Sequence, residues 1–311
     1  MSVSVDQDSH PEASSQEVEE VVLAPTPAPA PPPARYHRFD RWQRIEHGLL
    51  LGSFTILALT GIPQKYANLP WGSGMIALMG GIEAVRIVHR VAAFILMFET
   101  LYHAVAVSYK IFVRRVELTM MPGWKDAMDA VQTLGYNLGL IKSPPQMGRF
   151  SFGEKVEYWA VIWGTVIMIL TGFMLWNPIA TTQFLPGSWI PAAKAAHGGE
   201  ALLAVLSIVT WHAYNVHLKQ LNKSMFTGQI SRHEMTEEHA LELAQIEAGL
   251  GRPAPDAETL RRRRAVFLPV AVVASVVLLA ELIVFVSFER TAITTVPKQS
   301  VEVIAPLTPA P

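Results

Sequence analysis

Cysteine is absent from all 311 residues. Its absence removes disulfides, iron–sulfur clusters, thioether-attached haem, thiolate nucleophiles and cysteine zinc sites. An excess of charge is missing too, since 25 Lys and Arg stand against 26 Asp and Glu. A nucleic-acid binder needs a basic footprint that this balance does not supply. Flavin and nicotinamide motifs are also lacking, so the chain alone is not expected to oxidise a primary donor. No basic segment leads into an apolar core at the N-terminus, so no secretory signal is expected. Metal or redox chemistry is left to ten histidines, the carboxylates or a bound cofactor.

What the chain has is long apolar runs. Crossing a hydrocarbon core of about 30 Å takes about 20 helical residues. Five segments meet that length: Arg44–Tyr66, Ile87–Phe112, Tyr158–Trp176, Ala196–Leu218 and Ala265–Phe288. The expected fold is therefore all-α and integral to the membrane, a four-helix bundle plus a fifth C-terminal span. Basic residues fix the direction. Arg35, Arg38, Arg41 and Arg44 precede the first span. Arg114, Arg115, Lys125, Lys142, Arg149 and Lys155 separate the second and third, and Lys219, Lys223, Arg232 and Arg261–Arg264 separate the fourth and fifth. The intervening loops hold few. The N-terminus is expected in the cytoplasm and the C-terminus outside a bacterial-type inner membrane.

The expected organisation begins with a disordered Pro/Ala-rich tail over 1–34, whose "APTPAPAPPPA" favours extended polyproline II and cannot build a core. A four-helix bundle over 35–232 follows, then an acidic helix and basic linker over 233–264, the fifth span over 265–288 and an outer tail over 289–311. The loop Pro122–Leu140 reads as an amphipathic helix on the membrane surface.

Ionisable side chains inside spans are expensive and mark function. His47 lies on the first span, His89 and His103 on the second, His197 and His212 on the fourth. His89 and His103 are 14 residues apart, about 1400° of rotation and about 21 Å of rise, so they share a face. His197 and His212 are 15 apart, within about 60° of one face and about 22 Å apart along the axis. The second and fourth spans run in parallel, which matches His89 with His197 in depth near the outer surface and His103 with His212 near the inner one. Facing imidazoles suit six-coordinate, non-covalent haem, and two levels suit two b-type haems. His47 also reaches the inner level, so five histidines compete for four axial positions. Arg86 and Arg90 beside the outer level, and Arg44 at the inner one, are candidate partners of haem propionates. Glu99 sits one turn from His103, and Glu281 stands alone in the fifth span, where a partner-subunit contact is expected.

The strings "RIEHGLLLGSFTILALTG", "RIVHRVAAF", "EYWAVIWGTVIMILTGFMLW", "AAHGGEALLAVLSIVTWHAY" and "FTGQIS" resemble the membrane cytochrome b subunits related to the γ subunit of formate dehydrogenase N and nickel–iron hydrogenase cytochrome b. The likeness covers roughly 35–238. It implies a four-helix bundle with two b haems that exchanges electrons between a partner's iron–sulfur or multihaem subunit and the quinone pool, as the electron-transfer subunit of a larger oxidoreductase. It carries ligand roles onto His89 and His197 for the outer haem, and onto His47 and His212 for the inner. Helical geometry instead offers His103 as the inner partner of His212. The resemblance also brings a quinone pocket to Phe150–Lys155, with Phe150, Ser151, Gly153 and Glu154 as contacts. Two other readings compete: a self-contained haem reductase of the cytochrome b561 type, and a haem-free membrane anchor or transporter.

Overall fold

The computed structural model describes residues 34–219, 221–250 and 255–287. The Pro/Ala-rich segment before residue 34 and the tail from residue 288 lie outside the described residues, and with them the expectation that both are unstructured.

Among the described residues, five helices are long and apolar enough to cross a membrane. These are α1 (Arg41–Lys65), α3 (Ile82–Phe112), α5 (Phe152–Trp176), α7 (Trp189–Ser207, running on in π-helical form to Lys219) and α11 (Ala257–Ser287). Local chemistry sets their starts. Asp40 caps α1, its Oδ1 accepting from Trp42 N and Gln43 N while Gln43 Oε1 accepts from Asp40 N. Ser151 and Glu154 form the same reciprocal box at the head of α5. Short helices α2 (Pro70–Leu78) and α6 (Pro178–Thr182) follow α1 and α5. The chain turns from α2 into α3 through Gly80 and Gly81, both at φ +91, a region closed to most other residues.

Close backbone packing joins α1 to α3, α5 to α7 and α1 to α7, while the α3–α5 side of the bundle is sparsely packed. The fifth helix lies along α3. Arg263 and Arg264 bind Val113 O and the Tyr109 hydroxyl at one end, and the Phe285 ring stacks 4.0 Å from Phe173 of α5 at the other. Helix α11 begins eight residues before the expected span. Arg261–Arg264 end the apolar run but keep helical propensity, so the helix extends past the hydrocarbon.

At the basic end, α4 (Trp124–Asn137) is amphipathic the wrong way round for a soluble protein. Asp129 is buried, and Asp126 is tied to Lys155 at 2.7 Å. Trp124, Met128, Val131 and Leu138 are exposed, Trp124 by 81%. An apolar face turned outward beside transmembrane spans is the pattern of an interfacial helix.

The same end carries a small cap. Strand β1 (Arg35–His37) pairs antiparallel with β2 (Gln229–Ser231), joining the entry of α1 to the exit of α7 through α8 (Ser224–Thr227). Gly228, at φ +77, accepts from Arg38 N and Phe39 N, and a Cβ there would meet Phe39 O at 2.8 Å. Helices α9 (Arg232–Glu238) and α10 (Ala240–Glu247) close the cap over Tyr36, Ile230, Met235 and Leu243. Arg38, 2% exposed, bonds Glu154 at 3.2 Å and Glu242 at 3.0 Å, and Arg149 joins Glu242 at 2.6 Å.

Beside this network His239 is buried and donates from Nδ1 to Gly148 O at 3.0 Å. Burial, and then the Arg38 charge, hold its pKa below the ordinary imidazole value. The folded cap therefore prefers neutral His239, whereas the unfolded segment takes a proton below about pH 6.5. The cap's stability is fully present above that pH and declines as pH falls. Protection factors of residues 229–250, corrected for the intrinsic exchange rate at each pH, should fall as pH drops from 7.5 to 5.5, and His239→Gln should flatten the profile. An unchanged profile in that variant would assign the pH response to another group.

Candidate metal centres

At the end of the bundle away from the cap, His89 of α3 and His197 of α7 face each other, ring centres 6.4 Å apart. Each is held from behind in the same way. Thr60 Oγ1 donates its single hydrogen to Ile56 O at 2.6 Å, so toward His89 Nδ1, 2.8 Å away, it accepts. Thr171 does the same on α5, donating to Ile167 O at 2.6 Å and accepting from His197 Nδ1 at 2.9 Å. Both imidazoles must carry their proton on Nδ1, which leaves Nε2 with the lone pair a metal needs. The residue after each threonine is a glycine. A Cβ on Gly61 would stand 3.1 Å from His89 Cε1, and one on Gly172 would stand 3.4 Å from His197 Cε1. The approach of His89 to α1 uses the atom missing at Gly61, whereas a Cβ at Gly172 would only reach ordinary contact with His197.

At the capped end, His47 of α1 faces His212, again with ring centres 6.4 Å apart. His212 Nδ1 lies 2.8 Å from Glu157 Oε2, so a carboxylate fixes its tautomer as the threonines fix the others. His212 closes a π-helical stretch, Ile208–His212. A π turn takes in one extra residue. The 15-residue spacing from His197 to His212 therefore has the facing of the 14-residue spacing from His89 to His103.

His103 is not opposite His212. Its Nε2 lies 3.0 Å from the Tyr158 hydroxyl and its Nδ1 3.5 Å from Glu46 Oε2. Glu99, one turn away, is buried.

A metal held between two imidazole nitrogens at about 2 Å each sets the ring centres a little over 6 Å apart. Both facing pairs match that separation, with a flat gap between rings rather than a cluster. No group of three or more His, Asp or Glu side chains suited to a bare ion occurs among the described residues. Two facing imidazole nitrogens fit haem. They do not fit a tetrahedral site.

The arginines expected near propionates have protein contacts. Arg86 pairs with Glu83 at 3.2 Å, the Arg90 guanidinium lies 4.7 Å from the Trp176 ring centre, and Arg44 binds Phe226 O. In the stretch read as a quinone pocket, Ser151 and Glu154 cap α5, Glu154 also holds Arg38, and the Phe150 ring takes the Arg38 and Arg149 cations on its surface. Gly153 lies beside Trp211, with a Cβ there 3.6 Å from Cζ2. Thr60, Thr171, Glu46, Glu157 and Tyr158 were not anticipated. The repeated "LTG" of the first and third spans was the signal for the threonines.

Residues 38–228 match the prokaryotic cytochrome b561 family. The chain is 24% identical over 186 residues to the formate dehydrogenase cytochrome b556(fdo) subunit of Escherichia coli K12, covering 57% of this chain and 76% of that subunit. It is 22% identical over 205 residues to the nitrate-inducible formate dehydrogenase cytochrome b556(Fdn) subunit of the same strain, covering 65% and 87%. The match takes in α1 to α7, both imidazole pairs and the Thr-Gly supports. The chain thus belongs to the prokaryotic cytochrome b561 family, as a multi-pass membrane electron-transfer protein of b-type haem.

Proposed function

We propose that the chain holds two b haems, one between His89 and His197 and one between His47 and His212, and links a membrane-bound redox partner to the quinone pool. The observation that carries this reading is the doubled pair of imidazoles at 6.4 Å, one pair toward each end of the bundle. Each haem, when bound, supplies a one-electron couple. The chain's own part is to fix the tautomers, shape the approach and exclude water. Thr60, Thr171 and Glu157 hold three of the four ligands with Nε2 unprotonated. His103 is given no ligand role, because both its nitrogens are engaged by Tyr158 and Glu46.

The capped end carries the basic residues and is read as cytoplasmic. The relatives are subunits of formate dehydrogenase complexes, which supports an iron–sulfur or multihaem partner subunit here. Quinone is placed at the capped end, with Phe150, Ser151, Gly153 and Glu154 at the mouth of its site rather than the floor. Their polar groups are already committed to the α5 cap and to Arg38.

Pyridine haemochrome titration against protein concentration tests the stoichiometry. Two non-covalent haems per chain are expected, and one or none in fully loaded protein defeats the two-centre reading.

A further inference from the structure

The four membrane helices that carry the centres repeat themselves. Thr60-Gly61 on α1 corresponds to Thr171-Gly172 on α5, and fourteen residues before each threonine stands a glutamate, Glu46 and Glu157. With the π turn taking up one residue of α7, His103 of α3 corresponds to His212. The contacts repeat as well. Glu157 backs His212 at 2.8 Å and Glu46 backs His103 at 3.5 Å. His89 and His197 correspond to each other, so that end has one site on the axis of the repeat. At the capped end the repeat generates two sites. One is His47 facing His212 across α1 and α7. The other lies across α3 and α5, and there the residue after the glutamate is Tyr158 instead of histidine.

This substitution changes what the second site can hold. Tyr158 Oη and His103 Nε2 are 3.0 Å apart, whereas two atoms on opposite sides of one haem iron at about 2 Å each stand about 4 Å apart. The pair is too close to take a haem iron between its atoms, and it offers a hydrogen bond instead. With Glu46 accepting from Nδ1, His103 Nε2 is an acceptor and the Tyr158 hydroxyl donates to it. That hydrogen can turn onto an incoming carbonyl by rotation about one bond, and the phenol is never left unsatisfied in the empty site. The pair bridges α3 and α5, which make little direct backbone contact and are crossed on the outside by α11 from Tyr109 to Phe173. Trp159 packs edge-on against Tyr158, ring centres 5.8 Å apart, with its indole N–H donated to Met120 O.

We infer that Tyr158 and His103, the second site of the repeat, bind the quinone head group, with Tyr158 donating to one carbonyl. This rests on the quinone reading above. Reduction of one quinone consumes two electrons and two protons and turns both carbonyls into hydroxyls. The two electrons would come from the haems that the two imidazole pairs would hold, and the protons from the aqueous phase.

The test uses the full haem-loaded chain in lipid nanodiscs with decylubiquinone and menadione as probes. Stopped-flow oxidation of the dithionite-reduced chain is followed at the haem α band, and binding separately by the infrared stretch of ¹³C-carbonyl decylubiquinone. Wild type should be oxidised and should show a carbonyl band shifted down by hydrogen bonding. Tyr158→Phe should lose that shift and need about tenfold more quinone for half-maximal rate, the usual weight of one hydrogen bond. His103→Gln should retain more than His103→Leu, and all three should keep two haems and their bis-imidazole EPR signals. If neither probe oxidises wild type, the quinone reading itself fails. If both oxidise wild type and Tyr158→Phe alike with the infrared shift kept, only this placement fails. Loss of an EPR signal in His103→Leu would make His103 a haem ligand and overturn the assignment.

Discussion

On the two-centre proposal, His197→Ala is expected to lower the haem content from two per chain to one, and potentiometry should show one redox transition instead of two. The expected loss is total at that site, because the pair has no spare ligand. The seven other histidines among the described residues are far along the axis or engaged elsewhere, and Thr60 and Thr171 offer only hydroxyls. His89→Ala should give the same phenotype, and His212→Ala its converse, removing the second transition and keeping the first. Haem stoichiometry and redox titration of the three variants, each purified from haem-supplemented cells, check the pairing. Two haems retained in either His89→Ala or His197→Ala would break it.

The second large effect is one of stability. Arg38 is 2% exposed and holds Glu154 and Glu242, with Arg149 sharing Glu242. Arg38→Ala empties a buried site and leaves Glu242 to Arg149 alone and Glu154 to the α5 cap, a loss of two charged hydrogen bonds that typically costs about 2–4 kcal/mol. The cap should then open at a far lower denaturant concentration, read by proteolysis of residues 229–250. Replacing Arg38 by Met together with Glu154 and Glu242 by Leu and Gln should recover much of the loss, since apolar substitutes of similar volume need no partner. Failure to recover would mean that the charges, and not their mutual satisfaction, hold the cap. Because Glu154 belongs to the first turn of α5, Arg38→Ala should also loosen the entry to the capped-end centre.

The five spans were legible because a bilayer imposes a length, and an apolar run of that length has few other uses. Their ends were less so. Helix α11 continues into Arg261–Arg264 because lipid contact stops there while helical hydrogen bonding does not. Residue facing was legible wherever the helix was regular. His89 and His197 could be matched by rotation and depth alone, and they do face each other. The pairing of His212 could not be read that way. A 3.6-residue period places His103 at the right depth, but which neighbouring helix it meets depends on α1 packing against α7 and on a π turn that no periodicity reveals. His47, near the entry of its span, was reached through the family resemblance, and the structure sets it opposite His212. The carboxylate behind His212 stayed hidden because Glu157 reads as the polar start of a span. Its contact exists only once α5 and α7 are side by side.

The strand pair at the cap changes what kind of object the bundle is. Three residues of β1 against three of β2 are too few to hold by themselves. The lock is Tyr36 and Ile230 under Met235 and Leu243, two of which come from helices beyond the fourth span. Four spans whose first and last residues are fastened together form a ring with a buckle, not a string with two free ends. A boundary drawn at residue 232, where the sequence pattern changes, falls inside the buckle. A chain ended there would retain both strands and lose the weight that presses them together, and the ring would be free to spring open at α1 and α7, the two helices that bring His47 and His212 face to face.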